Sequence, residues 1–212
     1  MDSLNMKPEE IEEESFRIID FEAGDHGWAG AEWPIVRRAI HTSADFEYAQ
    51  SMVLSDDVIE KAVAALKSGA GIVTDTNMAL SGISKPRLTS LGCPVSCHVA
   101  DQDVAERARI EGVTRSITAM RKGVANPENR IFVIGNAPTA LFELLRLIET
   151  GAAKPSLIIG LPVGFVGAEE SKNALASGTH GIPFITNIGR KGGSNVAAAV
   201  VNALAILAAS QQ

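Results

Sequence analysis

The sequence has few cysteines, few aromatic residues and no excess of basic residues. Only two of its 212 residues are cysteines, which is too few for a disulfide framework or for a typical zinc site. Aromatic residues make up 5% of the chain, and the formal net charge is −6. Because a nucleic-acid-binding surface needs clustered lysine and arginine, we expect no nucleic-acid partner. We also predict no bound metal.

The two cysteines, Cys93 and Cys97, do not suit a disulfide with each other. In the predicted strand an offset of four residues places both side chains on one face, roughly 13 Å apart. A disulfide needs Cα atoms within about 7 Å. We therefore expect two reduced thiols in a reducing compartment.

We expect neither a leader sequence nor a membrane-spanning segment. The N-terminus is acidic where a signal peptide needs a basic segment followed by an apolar one. The most apolar stretch, residues 196–209, contains Asn202 and is shorter than a spanning helix. We expect a cytoplasmic protein without membrane contact. Residues 1–7 are predicted to be a flexible tail, with Met1 or Met6 as the start, followed by a single domain of residues 8–212.

Alanine, valine, isoleucine and glycine are plentiful, which suits parallel strands covered by helices. Five apolar runs predict strands at residues 71–75, 94–99, 131–134, 155–160 and 183–187. Helices are predicted between them and before them, at 8–22, 32–41 and 55–68 among others. The fold class predicted is three-layer α/β/α, with a five-stranded parallel, flavodoxin-like sheet of order 2-1-3-4-5 and N-terminal helices.

The strand at 131–134 leads directly into a helix through Gly135, Asn136 and Thr139. In open α/β sheets, ligands bind beside such strand ends, at the point where the strand order reverses. That point lies between the first and third predicted strands. Residues 75–78, with Asp75 and Thr76, are therefore expected to lie opposite residues 136–139 across a crevice.

A histidine occupies the last turn of the second predicted helix. A helix C-terminus favours the protonated imidazole, and Arg38 lies three residues before His41, on the same face. Two interpretations are open: a proton donor beside an anion-binding arginine, or a histidine that caps the helix. Ser15, in the middle of the first helix, is a solvated hydroxyl unless other residues single it out.

Two further basic positions have alternative interpretations. Arg115 begins a helix, where the helix dipole disfavours a cation, so it either binds an anionic ligand or is a surface residue. Residues 189–194, with Arg190 and Lys191 among glycines, precede the last helix. This segment is typical of either a phosphate-binding loop or a solvated turn.

Several motifs follow one another in a fixed order: Ser15-Phe16, residues 38–41, residues 75–78 with Gly82, residues 114–116, residues 135–141, residues 162–166 with 170–172, and residues 189–194. Together they resemble the precorrin-8X methylmutase family of corrin (vitamin B12) biosynthesis. The resemblance covers residues 8–209. Several long motifs in order are far more specific than any one of them.

The resemblance implies a homodimer whose clefts hold a corrinoid tetrapyrrole. It also implies an isomerisation, in which one methyl group migrates from C-11 to C-12 of precorrin-8X or cobalt-precorrin-8. The product is hydrogenobyrinate, or cobyrinate when cobalt is present, and no cofactor or metal of the protein is needed. By this resemblance His41 is the catalytic proton donor, and Ser15 and Arg38 bind the substrate. The other expected substrate contacts are Arg115, Thr76, Asn136, Thr139 and Arg190.

Two other functions are compatible with the same residues. A non-catalytic tetrapyrrole carrier would use the same cleft and would leave the absorption spectrum of its ligand unchanged. A nucleotide-binding module would rest on residues 189–194 alone, and acid treatment would release nucleotide from it.

Overall fold

A six-stranded sheet forms the centre of the computed structural model, which describes residues 7–178 and 181–210. The strands are β1 (Met52–Leu54), β2 (Gly71–Thr74), β3 (Val95–Cys97), β4 (Asn129–Ile134), β5 (Leu157–Gly160) and β6 (Phe184–Asn187). Their order across the sheet is β1-β6-β5-β4-β2-β3. Strands β2 to β6 are parallel, and β1 pairs with β6 in the antiparallel direction.

The prediction that the sheet has only five strands, all parallel, is wrong, because β1 adds a sixth, antiparallel strand at the edge. The five predicted strands are all present, and their order, β3-β2-β4-β5-β6, is the predicted 2-1-3-4-5. In β1, Met52 lies opposite Asn187 and Leu54 opposite Ile185. Three residues are too few to produce a recognisable periodicity. The chain therefore has an α/β fold with a mostly parallel, mixed sheet.

Helices precede, connect and cover the strands. They are α1 (Pro8–Ala23), α2 (Glu32–Ser43), α3 (Tyr48–Ser51), α4 (Val58–Lys67), α5 (Asn77–Gly82), α6 (Lys85–Ser90), α7 (Gln102–Glu111), α8 (Arg115–Val124), α9 (Pro138–Glu149), α10 (Ala168–Ser177) and α11 (Ser194–Ser210). The helix predicted at 55–68 begins later, at Val58, because Asp57 adopts a left-handed conformation with φ of 57°. The Asp57 side chain forms no capping hydrogen bond with the helix, and the residues before Val58 form a turn.

The sheet separates two apolar cores, so the layers are helix, sheet and helix. Alternate side chains of a strand point to opposite faces. Accordingly, Ile131 and Val133 of β4 belong to one core, and Phe132 and Ile134 to the other. Helices α2, α4 and α11 cover the first face, while α8, α9 and α10 cover the second. The alanine-rich α11 is buried in this packing, against α2.

Residues 1–6 of the predicted tail lie outside the described residues, whereas Lys7 is the N-cap of α1, and its N–H donates to Glu10 Oε2 at 2.9 Å. Both cysteines are free thiols. Within residues 7–178 and 181–210, no helix has the length and apolar character needed to cross a membrane.

Candidate functional site

A cavity of about 300 Å³ beside the C-terminal end of α2 brings Ser15 and His41 together. Its walls come from α1, α2 and the following turn: Ser15, Ile18, Ile19, Glu22, Ile40, His41, Ala44 and Phe46. Helix α2 ends at Ser43, and the left-handed Ala44 (φ of 53°) turns the chain away. His41 thus lies in the last helical turn, as predicted. The cavity therefore lies where the first two helices pack against each other.

The His41 ring packs against an aromatic ring and keeps its nitrogens free. Its centroid lies 5.1 Å from that of Phe16, with the ring planes inclined by 53°. Among the described residues, no hydrogen bond involves the His41 ring, so the alternative of a helix-capping histidine gains no support. The imidazole is half-buried and borders the cavity.

The Phe16 ring also orients two guanidinium groups. The Arg38 guanidinium carbon lies 4.6 Å from the Phe16 centroid, and that of Arg37 lies 4.3 Å away. Arg37 forms an ion pair with Asp20 at 2.7 Å. Arg38 forms one with Glu12 of α1. Arg38 is therefore fixed close to His41, but one carboxylate already neutralises it.

Glu22 is the ionisable residue of this cavity that the sequence reasoning does not identify. It is exposed, lies seven residues after Ser15 and therefore shares its face of α1. Among the described residues it has no ion-pair partner. The spacing from Ser15 is a signal in the sequence, but only the packing of α1 on α2 shows that this face meets His41.

The ends of β2 and β4 are joined by a buried carboxylate. Asp75 Oδ1 accepts the N–H of Gly135 at 2.9 Å, and Oδ2 accepts those of Asn136 at 2.9 Å and Ala137 at 2.7 Å. Burial raises the pKa of Asp75, while the three N–H donors act to lower it. These hydrogen bonds join the ends of the two strands between which the crevice is expected. The geometry of Asp75 is that of a structural link, because three backbone N–H groups already donate to a carboxylate with about four acceptor positions.

The threonines at this junction are also hydrogen-bonded within the protein. Thr76 Oγ1 lies 2.7 Å from Ser194 Oγ at the start of α11, and it accepts the N–H of Ala79 as the cap of α5. Thr114 Oγ1 donates to Thr139 Oγ1 at 3.2 Å. These contacts fix the junction between β2, β4 and the helices that follow them.

Asn136 and Arg115 at the same junction have side chains without such partners. Both are exposed. Within the described part of the chain, the Asn136 amide forms no side-chain hydrogen bond and the Arg115 guanidinium forms no ion pair. Of the predicted contacts at this edge, these two are the most available to a ligand.

The segment of residues 188–193, which joins β6 to α11, connects the junction with the His41 turn. Lys191 Nζ lies 2.6 Å from Asp45 Oδ2 and 2.7 Å from Glu47 Oε2. These carboxylates raise the pKa of Lys191, and the lysine lowers that of Asp45. Since Asp45 follows His41 by four residues and Ser194 contacts Thr76, the segment reaches both groups of predicted site residues.

Close packing explains Gly192 in this segment. A Cβ atom at Gly192 would lie 2.3 Å from the carbonyl oxygen of Leu161, a distance that no side chain tolerates. The preceding Arg190 is exposed, with its guanidinium carbon 5.7 Å from the Phe165 centroid and a distant ion pair, at 4.0 Å, with Glu169. Gly192 thus allows contact with the loop after β5, and its presence does not require a bound phosphate.

The fold and the site together define a class of protein. A doubly wound α/β fold, with ionisable and polar side chains beside the carboxyl ends of its strands, is typical of enzymes that act on small molecules. Among the described residues, no cluster of histidine, cysteine and carboxylate side chains is arranged to hold a metal ion.

Comparison with known proteins gives the family. The family described as Precorrin-8X methylmutase matches residues 10–207. A cobalt-precorrin-8 methylmutase of Priestia megaterium is 48% identical over 98% of this chain and 91% of the relative, and a precorrin-8X methylmutase of Sinorhizobium is 42% identical over 92% of each. The crystal structure of the precorrin-8X methyl mutase from Thermus thermophilus has a TM-score of 0.86 and 40% identity, over 95% of this chain and 98% of that chain.

The chain belongs to the precorrin-8X methylmutase family. It is a methylmutase, an intramolecular transferase of the isomerase class, in cobalamin biosynthesis.

Proposed function

We propose that this methylmutase moves a methyl group from C-11 to C-12 of precorrin-8X or cobalt-precorrin-8, with His41 as the proton donor. The product is hydrogenobyrinate or cobyrinate. The observation that carries the proposal is the cavity shared by Ser15 and His41, with Arg38 one helical turn away. The Ser15 hydroxyl donates to the carbonyl oxygen of Ile11 at 2.7 Å. Its oxygen therefore remains as an acceptor for a substrate N–H.

An intramolecular migration requires positioning and one proton. The His41 imidazolium donates a proton to a nitrogen of the conjugated ring system, which draws electrons away from the carbon that receives the methyl group. The methyl group then migrates with its bonding electron pair, and the proton returns to the imidazole. Substrate and product have the same atoms, so no redox partner is needed. Positioning and proton transfer are both effects that a preformed site supplies.

The size of the cavity indicates how the substrate lies. About 300 Å³ is at the lower limit for small-molecule sites, which span roughly 300–1,000 Å³, and it is too small for a whole corrinoid. We infer that one edge of the macrocycle enters the cavity. The remainder lies along the sheet edge, where Met78, Phe165 and Val166 are exposed. Exposed apolar side chains suit the flat face of a tetrapyrrole.

The acidic periphery of the substrate matches the basic residues around this edge. Arg38, Arg115 and Arg190 each offer a guanidinium, which binds carboxylates through paired hydrogen bonds. Thr76, Asn136 and Thr139 are proposed to supply further contacts and shape at the junction of β2 and β4. In this arrangement the protein needs no cofactor of its own.

We also infer a homodimer, whose partner completes each cleft. The family resemblance implies it, and α1 supports it, because Ile11, Ile18 and Phe21 are exposed on the helix that forms one wall of the cavity. A cavity too small for its substrate is consistent with a wall contributed by a second subunit.

The His41→Ala variant tests the proposal. We expect product affinity, measured by absorbance titration, to stay within a few-fold of wild type. Turnover in a single-turnover assay should fall by about 10²–10⁴-fold, the usual contribution of a general acid. His98→Ala is the matched control, because His98 is bonded to Asp101 at 3.0 Å and does not line the cavity; it should keep full turnover.

Unchanged turnover in His41→Ala would sink the assignment of the proton donor. A wild-type protein that binds the substrate but leaves its spectrum unchanged would instead be a carrier. Assays with both the metal-free and the cobalt-bearing substrate decide which one is used.

A further inference from the structure

A buried lysine lies beneath the loops that follow β5 and β6. Lys172 of α10 is 1% exposed. Its Nζ donates to Asn187 Oδ1 at 3.1 Å and to the carbonyl oxygen of Lys191 at 2.5 Å. Asn187 Nδ2 in turn donates to the carbonyl oxygens of Ile188 at 3.1 Å and Lys191 at 2.9 Å. Both side chains therefore bind the backbone of residues 188–191.

This lysine is costly for the fold. A buried ammonium loses its hydration, and within the described residues no carboxylate forms an ion pair with Lys172. Burial lowers the pKa of Lys172 to about 8, against the weaker, opposite effect of Glu169. An apolar side chain of similar length would avoid this cost. The lysine is therefore better explained by what it holds than by the stability it adds.

The backbone that Lys172 binds is also bonded to the neighbouring loop. The N–H of Gly164 donates to the carbonyl oxygen of Arg190 at 3.2 Å, and the N–H of Gly193 donates to that of Leu161 at 2.9 Å. Residues 161–167 and 188–193 thus form one backbone unit, which we call the paired loops.

The paired loops carry groups that face both parts of the proposed site. Arg190 extends outward beside Phe165. The next residue, Lys191, directs its side chain to Asp45 and Glu47, in the turn that follows His41. A displacement of this short segment would therefore move the carboxylate-binding arginine relative to the histidine.

We infer that Lys172 is a positioning residue: by fixing the backbone of residues 188–191, it sets the placement of Arg190 relative to the His41 turn. It does not touch the substrate and acts through the paired loops. The inference rests on the proposed roles of Arg190 and His41. It extends that proposal by naming the side chain that fixes the position of Arg190 relative to His41.

The first test needs no corrinoid. Lys172→Met keeps an unbranched side chain and removes the donors. We expect amide hydrogen exchange at Gly164 and Gly193 to accelerate by at least about tenfold, while protection in β4 and α11 is retained. Lys61→Met is the control, because Lys61 is a surface lysine paired with Asp57 at 3.9 Å, and it should leave exchange unchanged. Unchanged exchange in Lys172→Met overturns the inference.

The second test is a double-mutant cycle on product affinity. Lys172→Met should raise the Kd for the product by about tenfold in the wild-type background, and by less than about twofold once Arg190→Ala has removed the group it positions. A residue that only supports the fold would change the Kd equally in both backgrounds, and additive effects would therefore overturn the inference.

A third variant covers the case in which Lys172→Met does not fold. Lys191→Met alters a partly exposed side chain and breaks the contacts with Asp45 and Glu47. We expect it to lower kcat by about tenfold with little change in unfolding temperature, since the loss falls on the His41 turn. An unchanged kcat in Lys191→Met would show that the paired loops do not act on the His41 turn, and it would therefore overturn the inference. Absence of turnover in the wild-type protein, with both substrates, would instead contradict the proposed function.

Discussion

Arg38 is an anion site that an internal carboxylate already occupies. It stacks on Phe16 and forms an ion pair with Glu12. A substrate carboxylate must therefore compete with Glu12 for the guanidinium. We expect Arg38→Ala to weaken product binding by about tenfold at low ionic strength and by less at high salt, because salt screens exposed charge pairs. The measurement is the product Kd at several salt concentrations.

Glu12→Gln provides the complementary variant, because it removes the competing negative charge and leaves the guanidinium in place. Product affinity should rise a few-fold in this variant, most clearly at low salt. A loss of affinity in Arg38→Ala that does not depend on salt would argue against a carboxylate contact. A weaker affinity of Glu12→Gln for the product would also argue against this contact.

Lys172 makes a prediction about the pH dependence of stability. Its pKa is lowered from 10.5 to about 8. Between these values the unfolded chain holds a proton at this lysine that the folded chain has released, so this group makes the free energy of unfolding rise with pH. The slope is at most about 1.4 kcal/mol per pH unit. Below the window both states hold the proton, and above it neither does.

Urea unfolding of wild type and Lys172→Met across this pH range checks the sign. At neutral pH we expect the variant to be as stable as wild type, or more so, since it buries no charge. The wild type should gain stability relative to the variant between pH 8 and 10.5. A difference that stays flat or reverses would show that the lysine is not desolvated as its burial indicates.

At the scale of elements, the end of β4 and the start of α11 depend on one glycine. A Cβ atom at Gly135 would lie 2.6 Å from the Cα and 2.9 Å from the backbone nitrogen of Ser194. Backbone atoms cannot move aside cheaply, so we expect Gly135→Ala to destabilise the protein by about 1–3 kcal/mol. It should also separate Ser194 from Thr76, and so weaken product binding in the protein that remains folded.

Gly178→Ala is the matched control for this substitution. Gly178 has an extended φ of 166°, and among the described residues that are not its chain neighbours no atom lies within 4 Å of its Cβ position. Its unfolding temperature should be close to wild type. Equal effects of the two substitutions would mean that close approach is not what Gly135 provides.

The elements also show what the sequence can predict. The five parallel strands and their order follow from apolar runs that alternate with helices, and β4 is the clearest of them. The edge strand β1 cannot be predicted in this way, because three residues between α3 and α4 have no periodicity of their own. Likewise, His41 at a helix end is visible in the sequence. The position of Glu22 opposite His41 cannot be read from the sequence. Their proximity depends on how α1 packs against α2, and the spacing of residues along the chain does not specify that packing.

The same limit applies to Asp75 and Lys172. The sequence places Asp75 at a strand end, beside the expected crevice. Only the structure shows three backbone N–H groups at its carboxylate. Lys172 lies in a helix with acidic neighbours and resembles a surface lysine, yet it is fully buried. Contacts between residues distant in the chain decide both roles.

At the scale of the whole molecule, the apolar residues left outside both cores bear on assembly. Phe21 is 84% exposed on α1, next to the helix face that lines the His41 cavity. Ile110 is similarly exposed, at 75%, but lies on α7, which contributes nothing to that cavity. Exposure alone does not show which of the two lies at an interface, since single apolar side chains are common on protein surfaces. Their positions relative to the cavity favour Phe21 as the interface residue.

We therefore expect sedimentation equilibrium to show a dimer for wild type and for Ile110→Glu, and a monomer for Phe21→Glu, since a buried charge at an interface costs several kcal/mol. If the partner completes the cleft, Phe21→Glu should also lose most of its turnover, by about tenfold or more, and regain it at high protein concentration. A monomeric wild-type enzyme with full turnover would contradict this assembly. A Phe21→Glu monomer that remains fully active would show instead that each chain binds its substrate alone, with the open side of the cavity exposed to solvent.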